Sequence, residues 1–279
     1  MNNLLHEWSE SATAWREHSA TVRTMFAPLT AALIEEARIS AGQSVLDVAG
    51  GPGEPSLTIA EVVGPTGTVT YTDAVAEMVA AAQEEGQRRG LTNVRFQQSV
   101  AESLPFADDS FDATVSRLGV MLFSDPAAAL REMLRVTKPE GVLCFVVWGG
   151  NERNPFTSCV TKVISRYVDT PAENADAPGA FRFAEPGKLA RLLTEAGATG
   201  VQEREFNFHI AAPISIEQFW EMRSTMSGTL RDKLATLSPE KARQVGLEVQ
   251  ESVREFFPNN QMSFPAHMLI VSGHKIPPT

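Results

Sequence analysis

An apolar run that stops at an acid and gives way to nearly bare backbone constrains this chain more than any other feature: VLDVAGGPGEPSLTIA, residues 45–60. Val45, Leu46 and Val48 suit a buried strand, and the helical pattern SLTIAEVV follows the three glycines and two prolines. Strand, glycine loop and helix in that order open a βαβ unit.

The alternation continues downstream. GTVTYTD is β-rich, and VAEMVAAAQEEGQRRG is helical with Gly90 as its stop. VRFQQS and FDATVSRLG read as strands, PAAALREMLRVTKPEG as a helix ended by Pro139 and Gly141, and VLCFVVWG as a fully apolar strand. Strands alternating with helices predict an α/β fold with a doubly wound, mostly parallel sheet.

Residues 3–38 carry helical spacing: Leu4, Leu5, Trp8 and Trp15 on one face, then Val22, Met25, Phe26, Leu29, Leu33 and Ile34. Pro28 is expected to kink or divide this region. After Gly150 the rhythm loosens. ERNPF and TPAENADAPGAF read as loops around a short helix, EPGKLARLLTEAGA as a helix, GVQEREFNFHI as a strand and FPAHMLIVSGHK as a last strand. The expected organisation is one structural domain. N-terminal lid helices span 1–38 and the ligand-binding core 39–150. The remainder of the sheet spans 151–212 and 258–279, and a helical cap insertion 213–257. A separate domain after 151 is the alternative, against which stands the lack of an independent apolar core pattern.

The net charge of −10 and the absence of a Lys/Arg cluster argue against nucleic acid as a partner. Cys144 and Cys159 give neither zinc spacing nor a disulfide framework, so no metal is expected and a reducing cytosol fits. No apolar run reaches membrane-spanning length, and MNNLLHEWSE has no apolar signal region. The reading is a cytoplasmic protein with no membrane span; a homodimer is left open.

Ligands of open α/β sheets sit beyond the carboxyl ends of the strands. Gly51-x-Gly53 lets backbone approach a ligand where a side chain would clash. Asp73 ends the second strand, where a ribose-binding acid belongs. Asp47 closes the first strand and Glu54 sits in the loop; negative groups there would repel a pyrophosphate but suit a cationic, amino-acid-bearing ligand. The third fingerprint position is Ser56, and no GK[ST] follows, which excludes a P-loop. S-adenosyl-L-methionine fits this pattern as cofactor. A plain tight turn is the competing reading of Gly50 to Gly53 alone.

VLDVAGGPGEPSLTIA, YTDAVAEM, NVRFQQSVAESLPFADDSFD and LREMLRVTKPEGVL, in that order, resemble class I S-adenosylmethionine-dependent methyltransferases, and among them the ubiquinone/menaquinone-biosynthesis-like C-methyltransferases. The resemblance covers about residues 40–150. It implies a Rossmann-like methyltransferase fold with seven strands, the last antiparallel. It places Asp47, Ala49, Gly50, Gly51 and Gly53 under the methionine part of the cofactor and Asp73, with Ala74 beside it, on the ribose hydroxyls. Met78 either packs on adenine or is a core residue of its helix. Val100 and Ala101 would lie along the adenine edge, and Arg117 and Leu118 would line the floor of the site. Pro52 stands where the quinone group commonly has Thr, Val100 where it has Asn or Asp, and Arg117 where it has Ser, while KPEG replaces KPGG. These departures bear on membership of the quinone branch, not on cofactor binding, which Asp73 and backbone contacts would carry.

Methyl transfer from an activated donor needs alignment in a desolvated pocket, and a base only where the acceptor must lose a proton. The place of a nucleic-acid [DN]PP[YF] signature reads SRLG, and two cysteines are too few for arsenic methylation. The expected acceptor is a small, fairly hydrophobic molecule, O- or C-methylated by direct in-line displacement. Trp15, Trp148, Phe219, Trp220 and Met222 are the candidate pocket residues, with core packing as the competing role. His18 and His209 are the candidate bases. Arg117 either holds an anionic or carbonyl-bearing acceptor or pairs with a nearby acid. The alternatives are an S-adenosylmethionine-binding enzyme of this fold catalysing cyclisation or decarboxylation, a nicotinamide-dependent oxidoreductase, and an interaction protein without catalysis.

Overall fold

The computed structural model describes residues 3–169 and 174–277. The side chain of Leu4, and residues 170–173 at the start of the predicted TPAENADAPGAF loop, lie outside the described residues.

Seven strands form one sheet: β1 (Ser44–Val48), β2 (Thr68–Asp73), β3 (Val94–Gln98), β4 (Phe111–Arg117), β5 (Thr137–Trp148), β6 (Thr199–Ala212) and β7 (Met262–His274). Their spatial order is β3-β2-β1-β4-β5-β7-β6. The pairs β1–β2, β2–β3, β1–β4 and β4–β5 are parallel, and β7 runs antiparallel to β5. The open, mostly parallel sheet and its late antiparallel strand agree with the sequence reading. Strand order reverses between β1 and β4, so their carboxyl ends open the crevice that such sheets use for ligands.

Ten α-helices accompany the sheet among the described residues: α1 (Asn3–Glu17), α2 (Ser19–Glu36), α3 (Ser56–Val63), α4 (Ala76–Arg88), α5 (Pro126–Val136), α6 (Pro155–Ile164), α7 (Lys188–Glu195), α8 (Ile216–Met226), α9 (Gly228–Ala235) and α10 (Pro239–Ser252). Local chemistry sets their starts. Asp125 caps α5 by accepting from the Ala128 N–H at 2.9 Å, with Pro126 next in the first turn, where a missing N–H costs nothing. Ser215 and Gln218 form a reciprocal capping box at α8.

Two boundaries differ from the sequence reading. The N-terminal region divides at His18, not at Pro28, which lies inside α2. The predicted helix before β5 stops at Val136, because Thr137 already pairs with Phe111 across β4 and the strand bulges through KPEG.

The chain forms two compact units: Met1–Ala27, Gly150–Ala177 and Asn207–His267 in the first, and Pro28–Gly149, Pro178–Phe206 and Met268–Thr279 in the second. This cuts across the expected single domain and its lid of residues 1–38. The physical reason is that the first, mostly helical unit has an apolar centre of its own. Phe264 lies 5.2 Å from Phe219, 5.6 Å from Phe156 and 5.7 Å from Phe257, ring centre to ring centre. These rings come from β7, α8, α6 and the turn after α10, so no single periodic stretch announces them. In the second unit, Val45, Leu46, Val69, Tyr71, Ala113, Val115 and Leu143 to Val147 are buried along the central strands. Near-continuous apolar strands of this kind belong to a sheet covered on both faces.

Candidate functional site

The glycine loop leaves β1 at its carboxyl end and lies wholly within the sheet unit. Gly50 donates to the Thr72 carbonyl at 3.0 Å, which lays the loop against the end of β2. A Cβ at Gly50 would stand 2.6 Å from the Tyr71 ring and 2.9 Å from Asp47 Oδ2, so backbone and ring meet face to face there. Gly51 has φ 54° and open space where a Cβ would be, so its side is the one a ligand can approach.

Asp73 fixes that loop. Its Oδ2 accepts from the Gly51 N–H at 3.0 Å, and its Oδ1 from the Val75 N–H at 2.9 Å. Tyr71, two residues earlier on the same face of β2, donates its hydroxyl to the Gly51 carbonyl at 2.5 Å. Burial raises the Asp73 pKa, and the N–H groups of Val75, Gly51 and Ala74 oppose that rise. A carboxylate has about four acceptor positions, so two backbone bonds leave room for hydroxyl donors.

Asp47 is fully buried beside the loop. Its Oδ2 accepts from Ser56 Oγ at 2.6 Å, which ties the end of β1 to the first residue of α3. Its Oδ1 has no protein partner among the described residues, nor has the buried Ser116 Oγ near the end of β4. Burial pushes the Asp47 pKa up to about 7, opposed by the Ser56 hydrogen bond and the charge of Arg117.

Arg117 donates to Thr30 Oγ1 at 2.6 Å and to the Glu54 carbonyl at 3.2 Å. Burial lowers its pKa, and the carboxylates of Glu54 and Asp47 counter this. It therefore anchors α2 to the glycine loop. Glu54 corrects one step of the sequence argument. Its carboxylate forms an ion pair with Arg89 at 2.8 Å and accepts from Thr58 Oγ1 at 2.7 Å, so its charge is spent on the protein. Asp47, not Glu54, is the acid left to meet a cationic ligand.

The remaining predicted cofactor positions are placed as follows. Ala49 and Leu118 both have positive φ, 61° and 62°, at the ends of β1 and β4. Gly119 explains the close approach there, since a Cβ on it would lie 2.7 Å from Ala49 Cβ. Gly53 donates back to the Gly50 carbonyl at 3.1 Å, closing the loop. Ala74 is half-buried. Met78 is buried on the face of α4 that carries Ala81, Ala82 and Gly86. Ser99 donates to the Asp73 carbonyl at 2.9 Å, bringing Val100 and Ala101 alongside. Ala101 is buried, whereas Val100 is 45% exposed, an uncovered apolar side chain on the rim.

The predicted pocket residues are less open than expected. Phe219 has no exposed surface, and Met222 and Trp148 are buried. Phe219 is a core residue of the helical unit, packed by Phe156, Phe257 and Phe264, and its role as a pocket wall is corrected accordingly. Trp148 lies in the sheet unit, 6.3 Å from Phe181. Trp15 donates its indole N–H to the Met226 carbonyl at 3.1 Å, and Trp220 lies where a Cβ on Gly246 would touch its indole at 2.8 Å. His209 is exposed on β6, its Nδ1 2.9 Å from Ser263 Oγ, and His18 occupies the turn between α1 and α2. Both histidines belong to the helical unit, not to the unit that holds Asp47 and Asp73.

Sequence reasoning gave Ser56 only as the third fingerprint position and missed Tyr71 and Arg89. Two-residue alternation in TYTD puts Tyr71 on the face of Asp73, a usable signal. Arg89 meets Glu54 only through the packing of α4 on the sheet, which nothing local encodes. Among the described residues no cluster of His, Cys, Asp and Glu could hold a metal ion, and no helix is long and apolar enough to cross a membrane.

Residues 39–197 match the family described as a methyltransferase domain. The uncharacterized protein Rv1405c of Mycobacterium tuberculosis is 34% identical over 186 residues, 67% of this chain and 64% of that protein. The ubiquinone/menaquinone biosynthesis C-methyltransferase UbiE of Pseudomonas putida is 39% identical over 162 residues, 58% of this chain and 56% of its own. The chain thus spans less than two thirds of the length of these curated relatives. The crystal structure of YcgJ from Bacillus subtilis superposes with a TM-score of 0.57 at 23% identity, covering 89% of this chain and 98% of YcgJ, which establishes the shared fold. The family match spans more than half of the chain, from five residues before β1 to just past α7, and includes the glycine loop, Asp73 and the switch between β1 and β4; the chain belongs to the class I S-adenosylmethionine-dependent methyltransferase family.

Proposed function

We propose that this protein transfers a methyl group from S-adenosylmethionine to a small, fairly hydrophobic organic acceptor by direct in-line displacement. The observation that carries the reading is the pair of bonds from Asp73 to the backbone of Gly51 and Val75, which holds a bare loop open beside a carboxylate with acceptor capacity to spare. The cofactor supplies a methyl group already activated on a sulfonium.

The residues have separable tasks. Asp73 accepts from the ribose hydroxyls. Gly50 and Gly51 admit the ligand to the backbone, and Asp47, with Oδ1 unspent, faces its cationic amino-acid end. Val100 and the Ala101 backbone border the adenine. Arg117 holds the floor by joining Thr30 to the loop. Alignment and exclusion of water then carry the rate, with proton removal needed only for acceptors that must lose one.

Calorimetry with S-adenosylmethionine, S-adenosylhomocysteine and NAD tests the reading. Micromolar binding of the first two, roughly −8 kcal/mol, is expected. NAD bound with neither of the others would refute it. Release of S-adenosylhomocysteine during turnover separates methyl transfer from a cyclisation or decarboxylation on the same fold.

A further inference from the structure

The helical unit contains an arginine that, among the described residues, no acid pairs. Arg223 lies on α8, four residues after Phe219, so the two share a helix face. That face meets Phe156: the Phe219 ring is 5.7 Å from the Phe156 ring, and the Arg223 guanidinium carbon is 4.6 Å from its centre. The Nε is sealed from solvent without a hydrogen-bond partner, and among the described residues no carboxylate or carbonyl accepts from any nitrogen of this side chain. The side chain as a whole keeps part of its surface. Burial alone pushes its pKa down to about 10, with no acid to oppose the fall. The contrast with the sheet unit is direct. Arg89 reaches Glu54 and Glu85 at 2.8 Å, and Arg117 reaches Thr30 and the Glu54 carbonyl. Nε loses its hydration with only the Phe156 ring in return, while the terminal nitrogens keep the exposed part of the side chain and stay open to a ligand.

We infer that Arg223 binds the carboxylate of a small, mainly apolar organic acid, with its planar face held on Phe156 and its N–H edge presented to the ligand's oxygens. One guanidinium balances one negative charge, which favours a carboxylate over a phosphate dianion, and the planar fork matches two carboxylate oxygens. Glu217 and Glu221 on α8, with no second cation on that helix, disfavour a further negative group and leave a mainly apolar body. As a binding site this does not rest on the methyl-transfer reading.

The test uses the full chain, with 2-naphthoate and its uncharged match 2-naphthamide as probes in calorimetry. The acid should bind at least tenfold more tightly than the amide. Arg223→Met should bring the acid down to the level of the amide, leaving the amide and S-adenosylhomocysteine affinities unchanged, and Arg223→Lys should retain part of the preference. The thermal midpoint of Arg223→Met without ligand should hold or rise, since an uncompensated charge is removed. Equal affinity of the wild-type chain for acid and amide would overturn the inference. So would an Arg223→Met chain that binds the acid as the wild type does, or one whose midpoint drops while the acid preference persists.

Discussion

The Gly51 N–H donates to Asp73 Oδ2 at 3.0 Å, so the residue that would hold the cofactor's ribose also holds the loop under the rest of it. The two jobs cannot be separated by mutation, and this shapes the first expectation.

Asp73→Ala should weaken S-adenosylhomocysteine binding by about 2–3 kcal/mol, from lost bonds to a charged acceptor and a released loop. Calorimetry on the folded variant measures it. An unchanged dissociation constant would mean that Asp73 is not the ribose ligand.

Asp47 gives a pH dependence with a definite sign. Its pKa is about 7 in the folded protein against 3.8 as a free side chain. The folded state therefore holds an extra proton between those values. The stability this group contributes is complete below 3.8 and is lost as pH rises through about 7. A cationic ligand favours the ionised form, so S-adenosylmethionine, with its sulfonium, should bind roughly tenfold more weakly at pH 6 than at pH 8. Asp47→Asn should flatten that profile. Calorimetry across this range decides, and parallel profiles for the two proteins would refute the assignment.

Gly50→Ala should destabilise the fold by about 1–3 kcal/mol, because the new methyl overlaps the Tyr71 ring and Asp47 Oδ2. Urea denaturation reads this without any ligand. A stability equal to the wild type would show that the loop can move aside.

Val100→Asp should change stability by no more than about 0.5 kcal/mol, since the side chain is largely exposed. Cofactor affinity should stay level or rise by about 1 kcal/mol through a new acceptor at the adenine edge. Collapse of the fold on denaturation would contradict the exposed position.

Phe219→Ala should cost about 3–5 kcal/mol of stability, the effect of deleting a fully buried ring from a packed cluster. Thermal or urea unfolding measures it. A near-neutral result would return Phe219 to the role of a pocket wall.

The sheet and its loop were legible because their signals are local. VLDVAGG carries strand, acid and glycines within seven residues, and Asp73 lies at the end of the next strand. Period-two and helical spacing fix such elements before any tertiary contact is known. The pairing of Glu54 with Arg89 was not legible, since it depends on how α4 settles on the sheet. Nor was the centre of the helical unit. Phe156, Phe219, Phe257 and Phe264 come from four separated places, and the same abundance of rings reads equally as a pocket lining. Nothing local marks Arg223, whose orphaned Nε is a fact of tertiary packing.

The two compact units are interleaved along the chain, with crossings at 27/28, 149/150, 177/178, 206/207 and 267/268. For a polypeptide made from its N-terminus this sets a timetable. Strands β1 to β5 emerge in one uninterrupted stretch and can pair as they leave the ribosome. The aromatic centre of the helical unit must wait for Phe264, and the sheet must wait for β7 to fill the gap between β5 and β6. Both halves are thus finished by the same thirteen residues, Met262–His274. A chain cut short before them would leave Phe156 of α6 and Phe219 of α8 without the ring they pack on, and β5 and β6 with unpaired edges.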